Sequence, residues 1–211
     1  MNDIKRLQLL FVTVLLVTIL PAHSALGLNE VDQGPSFDIT EVSFVMSGTS
    51  NVRDWEIGSD KMTGSVILGP AFFNGEEGMD QWFEEILLYV PNKSLDSGIS
   101  AMNSAMHDNL KTDEHPQLTY RLAGVEEVTK AEDGESLTFR VNGVANAAGN
   151  DHQFVHDVVV SREGDGTYGV SGELDFKMTD FEIDPPTFTR GALKTQDRFS
   201  ITYRLKLVPQ E

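Results

Sequence analysis

Over most of its length the chain alternates apolar and polar side chains with a period of two. At the C-terminus Phe199, Ile201, Tyr203, Leu205 and Leu207 interleave with Ser200, Thr202, Arg204 and Lys206. Extended backbone sends successive side chains to opposite faces, so this segment predicts a strand with one apolar face and one wetted face. Tyr168, Val170, Gly172, Leu174, Phe176 and Met178 repeat the pattern, as do Leu137, Phe139, Val141, Gly143 and Ala145, with Val144 an apolar intruder on the polar side. Weaker alternation runs through Asp38–Met46, Trp55–Leu68, Glu84–Val90, Leu118–Val128 and His152–Ser161, which makes eight candidate strands.

The connections carry their own chemistry. Glu132-Asp133-Gly134, Ala148-Gly149-Asn150-Asp151 and Gly164-Asp165-Gly166 supply residues that tolerate positive φ, as tight antiparallel hairpins demand. Ile99, Met102, Met106 and Leu110 step at helical spacing, which predicts an amphipathic helix with Ser100 as its cap and Pro116 beyond its end. Asp180 to Gln196, with Pro185-Pro186 and Gly191, reads as a long loop holding at most one helical turn. Eight antiparallel strands with one apolar face each satisfy either a two-sheet sandwich or a closed barrel, and the period alone does not choose between them. A barrel of eight is just wide enough to be filled by its own side chains or to hold one small ligand.

Charge and leader narrow the function classes. Lys5 and Arg6 precede a run from Leu7 to Leu20 that is too short for a bilayer, which takes about 20 apolar residues. Pro21 and the small residues around Ser24 follow, so residues 1–24 read as a cleaved export signal, with Gly27 the alternative cleavage point. Residues 36–209 form the domain. The 211-residue chain has no Cys, which excludes disulfides, thiolate metal sites and a Cys nucleophile. Its net charge of −17 repels nucleic acid and anionic membrane surfaces. The expectation is a periplasmic or secreted protein without stable membrane insertion.

Four segments, in order and spread over the domain, resemble the YceI family of exported lipocalin-like proteins. They are Ser47-Gly48-Thr49-Ser50-Asn51-Val52-Arg53-Asp54-Trp55; the stretch from Asn92-Lys93-Ser94 through Met106-His107-Asp108 to Pro116-Gln117-Leu118-Thr119-Tyr120; Val141–Ala145 with Val155–Val160; and Lys177-Met178-Thr179-Asp180-Phe181-Glu182-Ile183-Asp184-Pro185-Pro186. The resemblance implies an all-β, eight-stranded antiparallel lipocalin-like barrel with one helix in a long connection. Its hydrophobic lumen would bind polyisoprenoids or isoprenoid quinones. Arg53 stands where one branch of the family has His, and Glu182 where Gly is frequent.

On that reading the lumen would be lined by Trp55, Phe139, Phe154, Phe176, Phe199 and Tyr203, with Met102 and Met106 as adaptable fillers. Small residues such as Gly143 and Gly172 would leave the free volume, unless they mark bends in the strands. His107, Asp180 and Arg53 would meet a ligand head group. No cofactor is expected beyond the bound lipid or quinone itself. The expected function is non-catalytic binding, carriage or storage of an apolar isoprenoid; the alternative is a fully packed barrel acting as an interaction or stress-response module.

Catalytic and metal readings find little support. His152 and His156, four apart on a strand, lie about 13 Å from each other and cannot share one ion. Asp180, Glu182 and Asp184 read as a solvated loop, and no nucleophile elbow, phosphate loop or His-Glu-x-x-His is present. Asn92-Lys93-Ser94 fits a glycosylation sequon.

Overall fold

A computed structural model describes residues 34–74, 81–132, 134–188 and 192–210. The export signal proposed for residues 1–24 lies outside them. The alternating segments become strands: β1 (Phe37–Ser50), β2 (Asp54–Ser59), β3 (Thr63–Leu68), β4 (Phe83–Pro91), β5 (Gln117–Lys130), β6 (Ser136–Ala147), β7 (Asn150–Gly164), β8 (Thr167–Lys177), a short β9 (Thr187–Phe188) and β10 (Leu193–Pro209). Two helices interrupt them, α1 (Pro70–Asn74) and α2 (Ser100–Asn109). None of the helices described is long and apolar enough to cross a membrane.

The strands hydrogen-bond in the order β2-β1-β10-β8-β7-β6-β5-β4-β3, with β9 beside β10. The two ends of this path, β2 and β3, are separated in sequence only by Asp60-Lys61-Met62, so the sheet curls round on itself. A Ser36–Ile67 bridge, with Leu68 N donating to Pro35 O at 3.2 Å, ties the entry to β1 against β3. The architecture is the expected antiparallel lipocalin-like one, but the path has nine strands rather than eight. The expected single strand Trp55–Leu68 is broken in two at Ser59, whose hydroxyl accepts from Lys61 N and bonds Ser94 Oγ at 2.7 Å.

Hairpin chemistry follows the sequence. Ala148 (φ 52°) and Gly149 (φ 88°) form a two-residue turn between β6 and β7, both in the left-handed region that such turns require. The inward face carries the alternating apolar set: Phe139, Val141, Phe176, Ile201, Leu205 and Leu207 are all buried. Ser100 is not the cap of α2. Ile99 takes that position with no side-chain cap, and the turn before it is held by Ser97 and Asn103 instead. Asn103 Nδ2 also donates to Asp96 Oδ1 at 2.6 Å, which together with Gly98 N holds the Asp96 carboxyl below the usual carboxylate range.

The interior divides into two halves. Around Phe139, which is fully buried, Phe72 of α1 stacks at 6.1 Å, while Phe83 and Trp82 meet it edge-on at 4.9 and 5.4 Å. Tyr168 packs edge-on against Phe72 at 5.0 Å and Phe37 at 5.8 Å, which completes an aromatic plug. Such pairs add about 0.5–1.5 kcal/mol each beyond the area they bury. The other half is hollow.

Candidate functional site

The hollow half is a cavity of about 350 Å³, within the range of small-molecule sites. Its walls come from the ends of β1, β2, β4, β5, β6, β7, β8 and β10 that meet at one rim, together with one face of α2 and the segment Met178–Pro186. Trp55, Met102, Met106, Phe154, Phe176, Phe199 and Tyr203, all expected at a lumen, line it. Arg53 stands at the rim, exposed, on the turn that Ser50 Oγ closes by donating to Arg53 O at 2.7 Å. Alternation predicts the strand part of that wall, because Trp55, Phe154, Phe176, Phe199 and Tyr203 are members of their strands' inward sets.

The other candidates have different places. Phe139 belongs to the aromatic plug and does not reach the cavity. Gly143 and Gly172 do not open a channel either. A Cβ on Gly143 would meet the Tyr120 ring at 2.5 Å, and one on Gly172 would run into the Tyr203 hydroxyl. The missing side chains are therefore seats for two tyrosines, a close approach that only glycine permits. His107 lies behind the wall, with Nε2 3.1 Å from Asn92 O, and so ties α2 to the turn after β4. Asp180 accepts from Lys177 N at 2.8 Å and caps the 3₁₀ turn Met178–Phe181. Both make scaffold contacts, and neither lines the cavity. Asn92 is fully buried and its amide donates to His115 O at 2.7 Å, so the sequon presents no free acceptor for a sugar.

Two features of the floor lie beyond what the alternation indicates. Tyr120 and His156 line the cavity, and Tyr120 Oη is 2.9 Å from His156 Nε2. His156 is 8% exposed, and its Nδ1 has no hydrogen-bond partner. Burial pulls this imidazole down to about 4, with the backbone and charge of Asp157 opposing in part. Burial pushes the phenols of Tyr120 and Tyr203 well above their ordinary value, Tyr203 adding to the effect on Tyr120. At neutral pH the floor is polar and uncharged. The sequence signal for this pair was a polar residue, His156, between Phe154 and Val158 on the inward phase of β7.

The segments that carry the resemblance converge on this cavity. Ser50, Arg53 and Trp55 come from the first, Met102, Met106, Leu118 and Tyr120 from the second, Ala145 and His156 from the third, and Met178, Phe181, Ile183 and Pro186 from the fourth. Comparison with known proteins agrees. The model of the YceI-like domain matches residues 18–207. Among solved structures, a polyisoprenoid binding domain from Saccharophagus degradans implicated in plant cell wall breakdown superimposes with a TM-score of 0.61 at 14% identity, covering 84% of this chain and 99% of that one. BcnA of Burkholderia cenocepacia gives 0.57 at 18% identity over 78% and 95% of the two chains. The Campylobacter jejuni YceI protein gives 0.51 at 15% over 74% and 84%. No curated protein matches. At these identities the structures attest to the fold, while the domain match, spanning most of the sequence, attests to kinship: the chain belongs to the YceI-like family.

Proposed function

We propose that the protein binds an isoprenoid lipid or isoprenoid quinone in its lumen and carries or stores it outside the cytoplasm, without covalent chemistry. The observation that supports this reading is the cavity itself: an apolar chamber open at one rim and closed at the other end by the Phe72–Trp82–Phe83–Phe139 cluster. Burial of an apolar chain there contributes roughly 25 cal/mol per Å² removed from water and is nearly blind to chain chemistry. Length and width therefore select the ligand more than functional groups along it do. The domain named for polyisoprenoid binding in the Saccharophagus degradans relative favours the same ligand class. The fully packed alternative describes only the half of the barrel around Phe139. Export through residues 1–24 belongs to the proposal, and the net charge of −17 keeps a loaded carrier soluble and apart from anionic surfaces.

Native mass spectrometry of protein purified from its own host tests the reading. A bound lipid of defined mass, removed by organic extraction, is the expected result. Repeated preparations without any lipid, together with no rise in melting temperature on adding a prenylated quinone, would overturn it.

A further inference from the structure

On every strand the cavity lining stops at one level. It reaches Phe44 on β1, Leu88 on β4, Tyr120 on β5, His156 on β7 and Tyr203 on β10, while Leu122, Val158 and Leu205, the next inward residues, lie outside it. Tyr120, His156 and Tyr203 are thus the floor of an apolar chamber. Polar groups at the end of such a chamber are costly unless they are satisfied.

Counting donors shows what they lack. If Tyr120 donates to His156 Nε2, the imidazole proton sits on Nδ1, which is buried on the Asp157 side and does not face the chamber. If Nε2–H donates instead, the Tyr120 hydroxyl proton is left over. In the second tautomer the donor left over is the hydroxyl of Tyr120, which lines the cavity, and the Tyr203 hydroxyl adds another, since no described group accepts from it. Elsewhere on the wall, Ser50, Asn109 and Asn146 donate to Arg53 O, Ala105 O and Asp151 Oδ1. Arg53, Thr119 and Thr195 also line the cavity, Arg53 exposed at its rim; at the apolar floor the unmatched donors are those of Tyr120 and Tyr203.

We propose, building on the lumen-binding reading, that the ligand enters polar end first and that its buried end carries a neutral carbonyl oxygen, which accepts from Tyr203 and from the Tyr120–His156 pair. Charge chemistry narrows the class. The trio is uncharged at neutral pH, so nothing at the floor offsets the desolvation of a carboxylate or a phosphate. A ketone or quinone carbonyl needs no such compensation. The chain then trails toward α2 and the rim, where Met102, Met106 and Ile183 meet it.

The test uses the full chain, stripped of lipid, and two probes: geranyl-1,4-benzoquinone and geranylbenzene, which has a similar shape without the oxygens. Affinities are measured by calorimetry on the wild type, Tyr203→Phe and Tyr120→Phe, and the carbonyl stretch of the ¹³C-labelled quinone is recorded by infrared difference spectroscopy. Tyr203→Phe keeps the ring and removes a hydroxyl with no protein partner, so its melting temperature should not fall. The expected result is about tenfold weaker quinone binding in Tyr203→Phe, unchanged geranylbenzene binding, and a lowered carbonyl stretch in the wild type that partly recovers in the variant. Equal quinone affinity in the wild type and both variants, with the stretch of an unbonded carbonyl, would overturn the orientation and leave lumen binding standing. Failure of both probes to bind the wild type would overturn both.

Discussion

A histidine packed against aromatic rings, with a tyrosine hydroxyl as its side-chain partner, stays neutral when burial outweighs its stabilising contacts, and this constraint has a consequence for stability. His156 packs against Phe154 at 5.0 Å and Tyr120 at 5.5 Å, and its native value of about 4 lies below the 6.5 of an unfolded chain. Between those values the unfolded state binds the proton and the native state does not. Stability is therefore lost as pH falls from about 6.5 to about 4, by on the order of 3 kcal/mol from this one group. Urea denaturation across that window should show a smaller pH slope for His156→Gln than for the wild type; equal slopes would mean the imidazole titrates normally. Glu182 is the other residue with a local cost. It sits at φ 56° after the 3₁₀ turn, where a side chain crowds its own backbone. Glu182→Gly should stabilise the protein by about 1 kcal/mol, read as a higher denaturation midpoint at unchanged slope. The sequence marks Glu182 only through the resemblance; the left-handed backbone supplies the physical reason why glycine suits that position.

At the scale of elements, α2 shows how far patterning reaches. Met102, Met106 and Leu110 all turn toward the cavity, and Ala101 and Ala105 lie on the same lining face. A helix with small residues on that face leaves room beneath it. Ala105→Phe should fill this room and abolish binding of a prenylated quinone while leaving the melting temperature within a degree or two; calorimetry and thermal denaturation together check it. Retained affinity would place the ligand away from α2. The stripe was legible because apolar residues at helical spacing have one way to be buried. Its cap was not legible, since Ser97 and Asn103 act through a turn whose geometry depends on Asp96 bridging to Gly58 of β2. The break between β2 and β3 shows in the sequence only as a slip of phase, from Trp55 and Ile57 to Met62, Val66 and Leu68, and the Ser59–Ser94 contact fixes the bend there. Helix α1, five residues long, is too short to show a period.

The whole molecule is half plug and half chamber, and the two halves should respond differently to truncation. Phe139→Ala opens a void in close-packed aromatic surroundings and should cost about 3–5 kcal/mol. Phe199→Ala borders space that already exists, so the cavity term is small and the loss should be clearly less; paired chemical denaturation checks this, and equal losses would contradict an open lumen. A ligand of the chamber at 100 times its Kd should raise stability by about 2.7 kcal/mol in the wild type. The places of most strands along the chain, their inward sets and the hairpin turns followed from the sequence, because side-chain alternation and positive-φ residues are local properties that one segment expresses alone. Whether Phe139 plugs or lines, and whether Gly143 and Gly172 open a channel or seat Tyr120 and Tyr203, depends on what stands across the barrel. Those neighbours come from strands far apart in sequence, brought together only when the sheet curls, and their packing alone decides where the interior is solid and where it is empty.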